Sequence, residues 1–303
     1  MFFPVSGVEV YPMIPPLVAF GVSFFTSMGG ISGAFLLLPF QMSVLGYTHP
    51  SVSATNQFFN VVAIPAGICG YIREKRMVWP LAVVVAAGTL PGVFIGAYTH
   101  VVWLPARPFK LFSAVILLYI GGCLVRDLLT KKSSKPGASE LRGIVNSAPG
   151  PDFTIEIQEL SLKNIRYTFH GESYRAPVSG VFLLSFITGI VGGIYGIGGG
   201  AIIAPFLMSL FRLPVHTISG ATLMGTFLTS IAGVIFYIML APFFPEQCVA
   251  PDWTLGLLFG VGGMAGMNLG AHCQKFVPAT AIKWMIGSVT VGTAIKYILE
   301  FFG

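Results

Sequence analysis

Eight long apolar blocks dominate the chain, and four of them lie on each side of a polar stretch. They span residues 13–46, 51–72, 77–101, 107–129, 176–213, 216–242, 253–274 and 279–302. A helix needs about 20 apolar residues to cross the roughly 30 Å of hydrocarbon in a bilayer, and each block is long enough. The blocks do not alternate apolar and polar residues with a period of two, which argues against a membrane barrel. The pattern therefore predicts an all-α integral membrane protein.

Composition and charge agree with a membrane protein and disfavour other classes. Hydrophobic residues make up 54% of the chain and charged residues 9%, and the mean hydropathy is +0.82, which leaves too little polar surface for a soluble particle. The net charge of +6 comes from Lys and Arg in short loops and one linker, where membrane topology explains them, so we predict no nucleic-acid partner. Cys69, Cys123, Cys248 and Cys273 lack a metal-binding spacing, and we predict no metal site or other cofactor.

The two sets of blocks are copies of one another. Residues 30–43 align with 196–209 at one constant offset and share two glycines, a Pro-Phe pair and a Met-Ser pair. After small shifts, Trp79 falls on Trp253, and each tryptophan is followed by glycines at four-residue spacing. The sequence is therefore an internal duplication. We divide it into an N-terminal membrane repeat at 1–129, a linker at 130–176 and a C-terminal membrane repeat at 177–303.

The first block of each half is too long for one membrane span. At 1.5 Å per residue, 13–46 and 176–213 would form helices of about 51 and 57 Å. Each block carries glycines near its middle, at 29–33 and at 196–200, where the chain can reverse sharply. We therefore predict a broken helical hairpin in each half, with arms at 13–27, 33–46, 177–194 and 200–212.

The hairpins give the two halves opposite orientations in the membrane, because each hairpin contributes an even number of crossings. With the linker cytoplasmic, six Lys and Arg residues of the short loops lie inside and three outside, whereas single spans in place of the hairpins give four against five. The positive-inside rule favours the hairpins. The prediction is two inverted repeats, each with a hairpin and three further transmembrane helices, giving 8 to 10 helical segments in a multi-pass protein of the cell inner membrane.

The linker at 130–176 differs in composition from the repeats. It opens with a basic run at 130–137, and β-branched or aromatic residues partly alternate with polar ones over 153–174. This pattern predicts two or three short strands on the cytoplasmic face. The segment is either a regulatory or partner-binding insert or a small ordered connector, and its basic run is also suited to contact with anionic lipid.

The paired hairpin sequences also carry a family resemblance. GISGAFLLLPF at 30–40 and GIGGGAIIAPF at 196–206, each followed by a His/Ala-Thr helix start and a Trp/Gly-x-x-x-Gly helix, resemble the TauE/SafE sulfite exporter family. The resemblance covers both membrane repeats and leaves out the linker. It implies transport of sulfite, a sulfonate such as sulfoacetate, thiosulfate or another small organic anion. The two hairpin tips are not equivalent, because Ser32 stands where the second half has Gly198.

The positions of the acidic residues fit an anion better than a cation as substrate. No Asp or Glu lies in the middle of a predicted helix, whereas a cation or proton relay normally uses one. The second arm of each hairpin would instead direct free N–H groups and the positive end of its dipole toward the tip. The predicted substrate-binding residues are Gly30, Ser32, Gly33, Asn56, Gln57, Asn60, Gly198, Gly199, Gly200, Thr222, Thr226 and Asn268.

Each of these residues also has a purely structural explanation. Hairpin glycines serve close helix packing, and amides near a helix start cap it or bridge helices. Thr222 and Thr226 are placed to bond to their own helix backbone. Glycines of the later helices are interpreted as packing residues only: Gly92, Gly96, Gly266 and Gly270.

Two other function classes stay open on the sequence. Residues 30–33 have the GxSG form of an intramembrane serine protease, with His272 as an imaginable base. The second half keeps the glycines at the matching place and loses the serine, so we predict that the chain is not an enzyme. The other alternative is a membrane scaffold that acts through the linker without transport. Expected partners are a small anionic substrate and the lipid bilayer, and assembly into a homo-oligomer is left open.

Overall fold

A computed structural model describes residues 1–28, 32–73, 77–129, 156–161, 163–169, 171–211, 213, 215–273 and 279–302. In this part of the chain it has ten α-helices, five in each half. Their bounds are α1 Ile14–Met28, α2 Ala34–Ser43, α3 Ser51–Arg73, α4 Trp79–Trp103, α5 Ala106–Leu129, α6 Val178–Tyr195, α7 Gly199–Leu210, α8 Val215–Leu240, α9 Trp253–Cys273 and α10 Ala279–Phe302. The all-α prediction is confirmed, and the helices follow the eight apolar blocks closely.

Both long blocks break into two helices, close to the predicted arms. In the second half the break needs glycine, since Gly196 (φ 74°) and Gly198 (φ 73°) adopt positive φ values that residues with a Cβ rarely tolerate. The Gly196 amide donates to the carbonyl of Gly192 and ends α6. In the first half the break falls between α1 and α2, and Gly30 lies outside the described residues.

The exterior of the helices is apolar, as a bilayer requires. Among the described residues, three helical segments are long and apolar enough to cross a membrane, namely α4, α6 and the part of α8 that continues through a short turn, Thr217–Phe243, and shorter apolar helices accompany them. Large side chains such as Val83, Leu183 and Ile235 are exposed on their outer surfaces. A soluble protein seldom exposes so much contiguous apolar surface, so the protein is a multi-pass membrane protein.

Equivalent helices of the two halves, α3 and α8, lie side by side and run antiparallel. Asn60 of α3 contacts Ser230 of α8. Gly67 lies two turns further along α3, and a Cβ there would lie 3.6 Å from Leu223, which is two turns earlier in α8. Residue numbers therefore rise along one helix as they fall along the other.

Glycines bring the backbones of two further helix pairs into contact, and the helices of each pair run parallel. A Cβ at Gly92 or Gly96 of α4 would meet backbone carbonyl oxygens of α6, and one at Gly266 or Gly270 of α9 would meet those of α1. In each pair, the contacts move to higher residue numbers on both helices together. The interpretation of these four glycines as packing residues is confirmed, because any side chain would separate the helices.

The linker forms a three-stranded antiparallel sheet, as predicted, with β3 Glu156–Leu160, β4 Asn164–Phe169 and β5 Glu172–Pro177. Ile165 and Tyr167 of β4 are buried in the same apolar cluster as the helices. The Tyr167 hydroxyl lies 2.8 Å from the hydroxyl of Thr217, in the first turn of α8. The sheet is thus fastened to the start of a helix that enters the centre of the protein.

A short ribbon at the N-terminus was not predicted. It pairs β1 Phe2–Phe3 with β2 Val8–Glu9. Between them, Ser6 donates through its hydroxyl (2.8 Å) and its amide (3.2 Å) to the carboxylate of Asp252. The same carboxylate accepts the amide of Leu255 in the first turn of α9. The ribbon therefore covers the end of the molecule opposite to the start of α8.

Candidate functional site

Asn60, in the middle of α3, joins the two hairpin tips. Its carbonyl oxygen accepts the hydroxyl of Ser32 at 2.6 Å, just before α2 begins. Its amide nitrogen donates to the backbone carbonyl of Ile197 at 3.0 Å, in the turn between α6 and α7. The same nitrogen lies 3.3 Å from the hydroxyl of Ser230 on α8. One buried side chain thus connects both tips and the second central helix.

Asn56 and Ser32 fix the start of α2. The Asn56 amide nitrogen donates to the carbonyl of Ala34 at 3.0 Å, and the Ala34 amide lies 3.3 Å from the Ser32 hydroxyl oxygen. Gly33 is the N-cap of α2, and a Cβ there would crowd the hydroxyl of Ser23 at 2.8 Å. The carbonyl oxygen of Asn56 has no partner among the described residues.

Gln57 is fully buried, and neither its amide nitrogen nor its amide oxygen has a partner among the described residues. The side chain lies against Gly233, where a Cβ would collide with it. Gly233 is one turn from Ser230, so Gln57 lies beside the contact between Asn60 and Ser230. Gln41 is also unpaired, two turns beyond the tip of α2. A buried amide without partners is costly, and Gln57 is therefore suited to receive a polar ligand.

At the second tip the glycines provide close approach to α8. A Cβ at Gly200 would collide with Thr222 and Thr226, and one at Gly198 would lie 2.9 Å from Thr226. The hydroxyl of Thr226 donates to the Thr222 carbonyl at 2.8 Å, and that of Thr222 donates to its own helix in the same manner. Gly199 packs against Thr89 of α4. The two threonines thus bond to their own helix backbone, as their structural explanation requires, although their oxygens can still accept hydrogen bonds.

Asn268 does not join this group. Its side chain is exposed on the same side of α9 as Val261 and Met264, whereas the buried face of α9 carries Met267. The structure therefore brings together Ser32 and Gly33 of the first tip with the predicted residues of α3, the second tip and α8, and leaves Asn268 on the outer surface.

Sequence reasoning missed the asymmetry of the two central helices. With the alignment that pairs Thr55 with Thr222, the amides of α3 correspond to apolar residues of α8. Asn56, Gln57 and Asn60 match Leu223, Met224 and Phe227. In return, α8 supplies Ser230, which corresponds to Ala63 of α3. The two central helices therefore contribute differently to this polar centre, α3 with amides and α8 with hydroxyls.

The electrostatics of this centre come from neutral groups. Both α2 and α7 begin here, so their first N–H groups and the positive ends of two helix dipoles lie at the two tips. Among the described residues, no group of His, Cys, Asp or Glu is arranged to hold a metal ion. The arrangement can accept negative charge on a small ligand without a fixed counter-charge.

The serine-protease interpretation has no support at this place. The Ser32 hydroxyl donates to an amide oxygen, not to a base, and its oxygen faces the Ala34 amide. The structure does not describe the side chain of His272.

Two broken hairpins that meet inside a multi-pass helical protein define the class of membrane transporters. The chain belongs to the sulfite exporter TauE/SafE family, whose sequence profile matches residues 16–297. This is a family of membrane transporters and not of enzymes.

Named relatives agree with the family. A probable membrane transporter protein of Bacillus subtilis (strain 168), YunE, is 23% identical over 281 residues, which cover 90% of this chain and 92% of the relative. A probable membrane transporter protein of Xylella fastidiosa (strain 9a5c) is 24% identical over 283 residues, 91% of each chain. Sulfite exporter TauE/SafE family protein 6 of Arabidopsis thaliana is 29% identical over 160 residues, 50% of this chain and 33% of the relative. No solved structure matches the chain.

Proposed function

We propose that the protein carries a small anion, most readily sulfite, a sulfonate or another sulfur-containing or organic anion, through the centre around Asn60. The observation that carries this proposal is the meeting of both hairpin tips at Asn60, beside the buried and unpaired amide of Gln57. The family name supports the substrate class. The substrate would lie between the start of α2 and the start of α7, with Gln57 and Ser230 as side-chain donors.

The chemistry of this centre selects an anion. Two helix N-termini supply N–H donors, and Asn and Gln side chains supply more, without the desolvation cost of a buried Lys or Arg. Asp and Glu occur in the described helices only in the last turns of α5 and α10. A cation would therefore meet no carboxylate at the centre, whereas sulfite or sulfonate oxygens would meet donors on several sides.

The packing of the helices supports an inverted repeat. If the halves have opposite orientations, α3 and α8 must run antiparallel, while α4 and α6, and α1 and α9, must run parallel. The glycine and asparagine contacts have these directions in all three pairs. Movement of one repeat against the other would open the centre to one side of the membrane at a time.

The same arrangement gives the protein a sidedness. The linker sheet contacts the start of α8, and the N-terminal ribbon contacts the loop before α9, at the opposite end. The positive-inside rule puts the Lys and Arg residues at 73–76 and 275–283 on the inside of the membrane, and the sheet is then cytoplasmic in the inner membrane.

Flux in proteoliposomes tests the function. We expect saturable uptake of labelled sulfite, thiosulfate or sulfoacetate by the wild type and loss of that uptake in Gln57→Leu. Asn268→Leu, the same kind of change on an exposed amide, serves as the matched control and should keep wild-type uptake. Absence of uptake of all three anions by the wild type would favour the scaffold alternative or a different substrate.

Cysteine labelling tests the sidedness. Cys248 is native and exposed, and Arg73→Cys adds a second position near the end of α3, each kept as the only cysteine. In intact cells an impermeant maleimide should reach Cys248 from outside and the residue at position 73 only after permeabilisation. Labelling of both from the same face would contradict the inverted arrangement.

A further inference from the structure

His100 is a buried imidazole near the end of α4 that the proposed anion centre does not use. Its ring stacks on Phe109 of α5, with centroids 4.1 Å apart. Its Nδ1 atom lies 3.2 Å from the hydroxyl of Tyr237 on α8. An ionisable side chain inside a membrane protein is expensive to keep, and it normally marks a path for protons or ions.

Tyr237 connects this imidazole to the second hairpin. The Tyr237 hydroxyl donates to the backbone carbonyl of Gly193 at 3.3 Å, in the last turn of α6. The next carbonyl, that of Ile194, accepts the hydroxyl of Ser53 at 3.1 Å. Ser53 lies one turn before Gln57 on α3. His100 is thus linked through one hydroxyl to the helix end that leads into the second tip.

Three groups surround the hydroxyl of Tyr237, namely the Gly193 carbonyl, the His100 Nδ1 atom and the Ser53 hydroxyl, and they bear on where the imidazole proton lies. A tyrosine hydroxyl has one proton, and we assign it to the Gly193 carbonyl, which can only accept. The contact between Nδ1 and the Tyr237 oxygen then requires a proton on Nδ1, and Nε2 remains the basic nitrogen. A ring protonated only on Nε2 would need the tyrosine proton for itself, and the Gly193 carbonyl would lose its partner.

We propose that His100 is the proton-binding site of this transporter: Nε2 takes up one proton when the anion occupies the centre around Asn60 and releases it when the anion leaves. The inference rests on the proposed function. The added proton gives the imidazolium one positive charge, which offsets a monoanion in a part of the protein that is otherwise neutral. Because the linkage is reciprocal, protonation strengthens anion binding by the same factor by which the anion strengthens protonation.

The surroundings of the ring favour this coupling, since the described helices of the second half that pack against α4 supply no carboxylate or cation. Helices α6, α7 and α8, which pack against α4, contain no Asp, Glu, Lys or Arg. Tyr237 faces the ring from α8, while His216 lies at the opposite end of that helix. On α6, Tyr195 is occupied by its bond to the Phe35 carbonyl. On α5, Lys110 follows Phe109 directly.

Transport driven by a pH gradient tests the proposal. With the membrane potential clamped to zero, a gradient of one pH unit should make the wild type accumulate labelled sulfite or thiosulfate about tenfold, if one proton moves with each anion. His100→Gln should reduce the accumulation ratio to about one, and the exchange of labelled for unlabelled anion that remains should no longer depend on pH. His49→Gln, at an exposed histidine, is the matched control and should behave as the wild type. Gradient-driven accumulation by His100→Gln would overturn the proposal.

A second measurement does not depend on flux and separates this proposal from the proposed function. Nitrogen NMR of histidine-labelled protein in liposomes, with the His100 signals identified by their loss in His100→Gln, reports which ring nitrogen carries the proton. We expect Nδ1 protonated and Nε2 bare in the resting protein, and a changed proton distribution in Tyr237→Phe. A resting ring protonated on Nε2 would overturn the proposal even if anion transport is found. The expected tautomer would support the proton site even if none of the tested anions is transported.

Discussion

Replacing Gln57 by leucine should make the protein more stable and abolish transport. Both polar atoms of this buried amide lack partners among the described residues, and an unsatisfied buried polar group costs about 1–3 kcal/mol. Leucine has a similar volume and no polar atoms, so Gln57→Leu should raise the free energy of unfolding by about 1–3 kcal/mol. The expected rise of the apparent melting temperature is about 2–6 °C.

The neighbouring amide should respond in the opposite direction. Asn60 makes hydrogen bonds to Ser32, Ile197 and Ser230, and each is worth about 0.6–1.5 kcal/mol inside a membrane protein. Asn60→Leu should therefore cost about 2–4 kcal/mol, since it also leaves the Ile197 carbonyl unpaired. Both variants should lose anion uptake, for different reasons.

Melting of the purified variants in detergent, followed by size-exclusion chromatography, checks the signs, and uptake into proteoliposomes checks the activity. A fall in the melting temperature of Gln57→Leu as large as that of Asn60→Leu would contradict the unpaired state of the Gln57 amide. That result would mean that Gln57 is a satisfied structural amide and not a group that awaits a ligand.

Three further changes give independent checks. Gly233→Ala should cost about 1–3 kcal/mol because its Cβ collides with Gln57, and the double variant with Gln57→Ala should melt at a higher temperature than Gly233→Ala alone. Gly96→Val should prevent close packing of α4 on the α6 backbone and reduce the amount of folded protein in the membrane. The measurement is the fraction of the protein that stays monomeric after extraction into detergent. Burial raises the pKa of Tyr167 to about 12, so this tyrosine loses its proton at a lower pH in the unfolded protein than in the folded sheet. The stabilising contribution of Tyr167 is complete below about pH 10 and is lost as the pH rises toward 12, and Tyr167→Phe should remove this part of the alkaline loss, as measured by proteolysis of the linker.

Helix positions and hairpins could be predicted because they depend on local information. Hydrophobic length fixes how many segments cross the membrane, and the glycines of 196–200 mark a turn that other residues cannot form. The linker strands followed from residue alternation over 153–174. The ribbon of Phe2–Phe3 and Val8–Glu9 could not be predicted, since two-residue strands carry no periodicity and depend on the distant Asp252.

The face of a uniformly apolar helix was the weaker part of the prediction. Helix α9 is apolar all round, so its sequence does not show which side is buried, and Asn268 was assigned to the centre. Gly266 contacts α1, and a residue two positions later points about 200° away from it. The positions of the packing glycines thus indicate that Asn268 faces away from α1. The joint role of Asn60 depends on contacts across more than a hundred residues, and these appear only in the folded chain.

Uptake of labelled sulfite, thiosulfate and sulfoacetate by proteoliposomes that contain wild type, Gln57→Leu or Asn268→Leu protein tests the central claim most directly. We expect saturable uptake of at least one anion by the wild type, equal uptake by Asn268→Leu and none by Gln57→Leu. Equal uptake by all three proteins would show that the anion does not pass the centre around Asn60 and would contradict the account.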